Sequence, residues 1–377
     1  MNPIYLDNAA TTPVYDVVNE LMFKTSQEVY GNPSSTHLFG RKAKSMIENS
    51  RKQIAKLIGS QSNEIIFTSC GTEADNLILF NAVNNLGVKH IISSPIEHHA
   101  VLHTLEEIEK QEKAKVTYLD IDEFGIIDYN QLESLLVSSE DKVLVSLMYV
   151  NNEIGNILDV DRVTFLTKKY EALFHTDAVQ AVGHFPIQLE DSGIDFLAAS
   201  AHKFHGPKGI GFAYFRKGFG IKPIIHGGEQ EKGVRAGTEN LVGIVGMEKA
   251  LSISLENLEE DIDYIKSLKV YFINELRSQL PELKFNGLSA DIDRSTPTVI
   301  NVQLPKEYAM LLFSLDLKGI AVSGGSACQS GSNKGSHVLE AILNDVEVNN
   351  TSIRFSLSKF NTKEEIDTVV QVLKDLV

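Results

Sequence analysis

The chain has 377 residues, with 35 Lys+Arg against 50 Asp+Glu, a formal net charge of −15, 43% hydrophobic residues and 23% charged ones. This is the composition of an acidic globular protein of about two to three domains, long enough to bury roughly three quarters of its unfolded surface. Such a charge argues against a general nucleic-acid binder or a protein that lies on anionic membranes, and no apolar run reaches the ~18 residues that span a bilayer.

The amino-terminal stretch Met1 to Asn8 has neither the basic nor the apolar region of a secretion signal, so a cytoplasmic protein is expected. Ala43, Ile47, Ile54, Leu57 and Ile58 then fall at spacings that place them on one helical face. From about Asn63 to Phe215, short β-branched runs alternate with longer amphipathic stretches. The expected strands are 64–68, 90–93, 116–119, 142–148, 173–177 and 195–199. Helices are expected from near Thr72, over 100–110, 131–137 and 163–172. This alternation predicts an α/β domain with a mostly parallel, doubly wound sheet. Beyond about Gly243 come long helical patterns over 247–280, strand-like 298–302 and 352–357, and a final helix over 362–376, which together suggest a smaller α+β domain. The expected division is a large domain over 15–257 and a small domain built from 1–14 and 258–377.

Ligands of doubly wound sheets sit outside the carboxyl ends of the strands. There, Ser69-Cys70 runs into Gly71-Thr72-Glu73 at a helix start, which offers free backbone N–H groups, a hydroxyl and the positive end of a helix dipole to a phosphate. Taken alone, Thr72 could equally be a helix cap and Gly71 a turn residue. Lys203, in Ser200-Ala201-His202-Lys203, follows a run of small apolar residues at a strand end. A semi-buried lysine can lose its proton and attack a carbonyl to form a Schiff base. Asp177 closes another strand 26 residues earlier. A Schiff-base lysine, a carboxylate for a pyridinium nitrogen and a phosphate cup together describe pyridoxal 5'-phosphate (PLP).

Six segments, in this order and spacing, resemble the cysteine desulfurases of the class V aminotransferase branch of fold-type I PLP enzymes. They are 7–13 (DNAATTP), 31–35 (GNPSS), 68–76 (TSCGTEADN), 150–155 (VNNEIG), the Lys203 segment, and Arg354-Phe355-Ser356. The resemblance covers essentially the whole chain. It implies a fold-type I architecture, a homodimer, L-cysteine as substrate, and delivery of sulfur to an acceptor protein such as an iron–sulfur scaffold.

Carried over position by position, the resemblance implies that Lys203 binds PLP covalently, that Asp177 keeps the pyridine nitrogen protonated, and that His98 stacks on the ring and moves protons. It implies that Gln180 donates to the phenolic oxygen, that Gly71, Thr72, Ser200 and His202 hold the phosphate, and that Thr238 reaches the partner subunit's phosphate. Asn152 and Arg354 would orient the substrate, with Arg354 clamping its carboxylate.

Cys328 lies within Val322 to Ser336, too rich in Gly and Ser for core, so composition argues for an exposed, mobile thiol. The resemblance makes it the residue that takes the substrate's sulfur as a persulfide, while Cys70 is expected to be structural. The alternatives within this branch are a selenocysteine lyase and a small-amino-acid aminotransferase, and the latter would not need Cys328. His99 with His103, and His202 with His205, have possible ligand spacings but no neighbouring Cys or ordered carboxylates, and no metal is expected.

Overall fold

The structure is a computed structural model and describes residues 3–324 and 335–377. In chain order its strands are β1 (Ile4–Tyr5), β2 (Ile65–Thr68), β3 (His90–Ser93), β4 (Lys115–Tyr118), β5 (Val143–Ser146), β6 (Leu173–Asp177), β7 (Phe196–Ser200), β8 (Gly211–Phe215), β9 (Lys284–Phe285), β10 (Val299–Gln303), β11 (Ile320–Ala321) and β12 (Ser352–Ser356). The helices are α1 (Asp16–Glu28), α2 (Leu38–Leu57), α3 (Gly71–Asn84), α4 (His99–Lys110), α5 (Tyr129–Ser138), α6 (Val160–Lys169), α7 (Leu189–Ser192), α8 (Leu241–Glu256), α9 (Leu258–Gln279), α10 (Leu311–Leu317), α11 (His337–Ile342) and α12 (Lys363–Leu376).

Seven strands form the large sheet in the order β2-β8-β7-β6-β5-β3-β4. β8 is antiparallel to both β2 and β7, while the pairs from β7 through β4 are parallel, so β8 alone is reversed. β2, β3, β5, β6 and β7 are buried along their whole length, because helices cover both faces and the strands read as continuous apolar runs. β4 lies at the edge and is more exposed.

The second part is smaller: an antiparallel sheet β12-β10-β9 and a parallel pair β1-β11. Its apolar cluster joins Ile4 and Leu6 to residues from Ile265 to Leu373. The bridge between Asp7 and Ser356 ties the amino-terminal segment to β12.

Helix starts follow ordinary capping chemistry. Asp128 caps α5, Asp159 caps α6, and Thr362 with Glu365 forms a reciprocal capping box on α12. α1 carries little periodic signal because only Val18 and Thr25 are buried along it, and Phe23 faces outward.

Candidate active site

The carboxyl ends of β2, β3, β5, β6 and β7 open onto one cavity of about 270 Å³. Gly71, Thr72, His98, Asn152, Asp177, Gln180, Ser200, His202, Lys203 and Arg354 all line it. Ten residues from six stretches of chain therefore meet at the place where an open α/β sheet presents its ligand crevice.

At one end, β2 passes directly into α3. The helix starts at Gly71 with Cys70 as its cap residue and no capping side chain, so Thr72 sits inside the first turn and is not a cap. The first N–H groups of an α-helix have no intrahelical partners, which suits an anion. A Cβ on Gly71 would come within 2.6 Å of Val179 Cγ2, so only glycine lets the turn approach the β6 side of the cavity. Ser200 Oγ is buried with no hydrogen-bond partner among the described residues. His202 Nδ1 lies 3.2 Å from Thr11 Oγ1, and burial, with Lys203 and Lys208 nearby, pushes the ring down to about 4. A helix N-terminus, an orphaned hydroxyl and a neutral imidazole are suited to a phosphate.

Asp177 ends β6 and accepts from the Val179 N–H at 2.9 Å. Burial pushes its carboxyl up to about 6, against the opposing effects of the Val179 N–H and Lys203. Lys203 Nζ donates to the carbonyls of Ala9 (2.6 Å) and Ala10 (2.9 Å), and Gln180 Nε2 donates to Ala9 O at 2.9 Å. Two residues after Lys203, His205 adopts φ +62°, a left-handed conformation rare for a side chain of this size. It is held by its own N–H donating to Thr12 Oγ1 at 2.8 Å and by Nδ1 at 2.8 Å from Pro13 O.

His98 caps α4, its Nδ1 accepting from the Ala100 N–H at 3.1 Å. Burial, then the charges of Lys203, His337 and His103, push the ring down to about 4. A neutral imidazole whose Nδ1 accepts carries its proton on Nε2.

Arg354 is buried on β12. Nη2 donates to Asp7 Oδ1 at 2.9 Å, Nη1 donates to the Asn152 carbonyl at 3.0 Å, and Nε has no partner among the described residues. Asp7 Oδ1 also accepts from Ser323 Oγ at 2.9 Å. The residue at 152 therefore positions Arg354 through its backbone.

One expected site residue falls elsewhere. Thr238 is exposed and lines a separate cavity of about 90 Å³ behind the β2–α3 turn, with Thr68, Ser69 and Arg235. Cys328 lies outside the described residues. Cys70, expected as structural, is partly exposed and lines the main cavity.

Residues the sequence did not single out also belong here. Asp7 pairs with Arg354 across 347 positions. Asp75, whose carboxylate oxygens have no hydrogen-bond partner among the described residues, faces the same cavity, with His175 Nε2 3.4 Å away. Burial, reinforced by Asp177, Glu97 and Cys70, raises Asp75 well above the carboxylate range. The signal that could have found His175 is His-x-Asp on β6, which turns it to the same face as Asp177; no such spacing marks Asp75.

A lysine amine for an aldehyde carbon, a carboxylate for a ring nitrogen and an anion cup are the donor set that PLP requires, and all three open onto one space of drug-molecule size.

The chain belongs to the class-V aminotransferase family, whose sequence description matches residues 4–369. Enzymes of this family are PLP-dependent. The chain is 43% identical over 379 residues to a protein of Dictyoglomus turgidum named "Cysteine desulfurase IscS", covering 99% of this chain and 94% of the relative. It is 44% identical over 382 residues to "Putative cysteine desulfurase IscS 1" of Bacillus subtilis, covering 100% and 99%. Among solved structures it resembles a NifS-like protein with TM-score 0.90 and 39% identity, covering 99% of this chain and 98% of the other. A NifS-like protein of Rickettsia africae gives TM-score 0.89 and 34% identity, covering 100% and 99%.

Proposed function

We propose that the chain is a PLP-dependent cysteine desulfurase that converts L-cysteine to L-alanine and takes the sulfur onto Cys328. The observation that carries this is the convergence of Lys203, Asp177, His98 and Arg354 on a single cavity, in a chain whose relatives over its full length are named cysteine desulfurases. Bound there, the cofactor supplies an electron sink for the substrate's Cα.

Lys203 would hold the cofactor through its amine, and the carbonyls of Ala9 and Ala10 accept from that Nζ. Asp177 would hold the ring-nitrogen proton and Gln180 the phenolic oxygen. Gly71, Thr72, Ser200 and His202 would take the phosphate, and Thr238 would be contributed to the partner subunit of a homodimer. Arg354, oriented by Asp7 and the Asn152 carbonyl, takes the substrate carboxylate. His98, neutral because burial pushes the ring down to about 4, presents its Nε2–H to the cavity as a hydrogen-bond donor.

The Cys328 thiolate then attacks the substrate Sγ. An S–S bond forms as the Cβ–Sγ bond breaks, and the electron pair stays on the carbon skeleton, which gains a proton and leaves as alanine. Thiol plus cysteine gives persulfide plus alanine, so no external oxidant is needed. The persulfide passes in the cytoplasm to an acceptor protein such as an iron–sulfur scaffold; the name IscS carried by the relatives supports the scaffold. No helix among the described residues is long and apolar enough to cross a membrane. We also take residues 15–257 as the large domain and 1–14 with 258–377 as the small one, a division supported by the separate apolar cluster that joins Ile4 and Leu6 to the carboxyl-terminal part.

The test is alanine and sulfide production from L-cysteine with a thiol reductant. Equal amounts of both products are expected, with neither formed by Lys203→Ala. Turnover without alanine would contradict the proposal.

A further inference from the structure

The turn that closes the phosphate end of the cavity is braced from behind by a charged pair that the proposed chemistry does not use. Glu73, in the first turn of α3, reaches back so that Oε2 accepts from the Ser69 N–H at 2.8 Å. Its other oxygen accepts from Arg235 Nε at 2.8 Å, and Arg235 Nη2 lies 3.3 Å from Oε2, a two-point pairing. The pair is largely buried, with side-chain exposures of 22% for Arg235 and 10% for Glu73. Burial alone would raise Glu73, but Arg235 and Ser69 outweigh it and hold the carboxyl below its ordinary value.

Arg235 belongs to the segment that carries Thr238, and this segment is fixed a second time. Glu231 accepts from Arg51 through both guanidinium Nη atoms, at 2.7 and 2.8 Å, and from the Phe67 N–H at 3.0 Å. Phe67 is in β2, the strand that leads into the turn. One carboxylate from the segment thus holds the strand, and one from the turn holds the segment.

The electrostatic consequence concerns the cavity in front. A carboxylate in the first turn of α3 is close to the N–H groups that would meet a phosphate, and its charge would repel that group. Arg235 cancels it. The guanidinium fork also fixes the carboxylate's direction, which a single ammonium would not do.

We propose that Glu73 and Arg235 are positioning residues for phosphate binding: Glu73 holds the turn by the Ser69 N–H, and Arg235 fixes and neutralises that carboxylate beside a site for a dianion. The proposal rests on the assignment of the Gly71–Thr72 turn to the cofactor's phosphate.

The experiment measures binding of PLP, and of pyridoxal without the phosphate, to the apoprotein of wild type, Arg235→Met, Glu73→Gln and the double variant. The wild type is expected to prefer PLP. Arg235→Met should lose about tenfold or more in PLP affinity with little change for pyridoxal, because an unneutralised carboxylate then stands behind the phosphate turn. Adding Glu73→Gln should restore PLP binding to within about threefold of wild type, since the repelling charge is gone while the amide oxygen still accepts from Ser69. A double variant as weak as Arg235→Met, or an Arg235→Met protein within about twofold of wild type, would overturn the proposal alone. A wild type that binds pyridoxal as well as PLP would overturn the phosphate assignment and this proposal with it. If Arg235→Met does not fold, Glu73→Gln decides: PLP affinity equal to or above wild type supports the proposal, and a loss of about tenfold contradicts it.

Discussion

Lys203 and Gln180 share one acceptor, the carbonyl of Ala9, at 2.6 and 2.9 Å. The amino-terminal segment is therefore a wall of the active site. It is held in place by β12, where the Ala9 N–H donates to Ser356 Oγ at 2.9 Å and Asn8 Nδ2 donates to Ser356 O at 2.8 Å.

Ser356→Ala leaves the buried Ala9 N–H without its acceptor. The expected cost is about 1–3 kcal/mol of stability, the penalty for an unsatisfied buried donor. Urea denaturation checks this; a loss below about 0.5 kcal/mol, the ordinary scatter of surface substitutions, would show that Ser356 does not hold the segment.

Arg354→Lys keeps the charge but loses the planar fork that meets Asp7 and the Asn152 carbonyl together. Losing one charge-assisted contact to the substrate is worth about 1.5–3 kcal/mol, so kcat/KM for L-cysteine should fall by roughly ten- to a hundredfold while the cofactor's visible band is unchanged. Unaltered kcat/KM would remove Arg354 from substrate binding.

Asp177 gives a signed pH dependence in the apoprotein. Its carboxyl stands at about 6 when folded against 3.8 ordinarily, so between those values the folded state binds the proton more tightly and stability from this group falls as pH rises. Asp177→Asn apoprotein should be more stable than wild type at pH 7, and the difference should shrink as pH is lowered through that window. Thermal melts across it provide the check, and a difference independent of pH would contradict the assignment.

Lys269 works in the opposite sense. It is fully buried in α9, with Nζ donating to Ser295 Oγ at 2.6 Å and Thr296 O at 2.7 Å, and burial pushes it down to about 7. The unfolded chain binds more protons between that value and 10.5, so stability from this group rises with pH across the interval. Wild type should gain on Lys269→Met between pH 7 and alkaline pH. Melting curves for the two proteins that ran parallel would show the buried amine to be charged throughout.

How far the sequence carried the account depended on the range of the interactions involved. Lys203 and Asp177 were legible because each closes or follows a short apolar strand, and parallel strands deliver their carboxyl ends to one edge, whereas His98 was singled out only by resemblance. The reversal of β8 was not legible, since its residues read like those of its parallel neighbours and only pairing with β2 and β7 defines its direction. Asp7 could not be matched to Arg354, nor Glu73 to Arg235, because nothing local records a partner 347 or 162 positions away. Thr238 was assigned to the partner subunit's phosphate only by resemblance; its spacing from Lys203 says nothing of where it points.

The central claim is that the thiol at position 328 receives the substrate's sulfur, and mass spectrometry of the PLP-loaded protein after L-cysteine without reductant tests it most directly. The account predicts a gain of one sulfur atom on the peptide containing Cys328, none on the peptide containing Cys70, and no gain in Cys328→Ala. Sulfur found on Cys70, or sulfide released by Cys328→Ala at the wild-type rate, would contradict it.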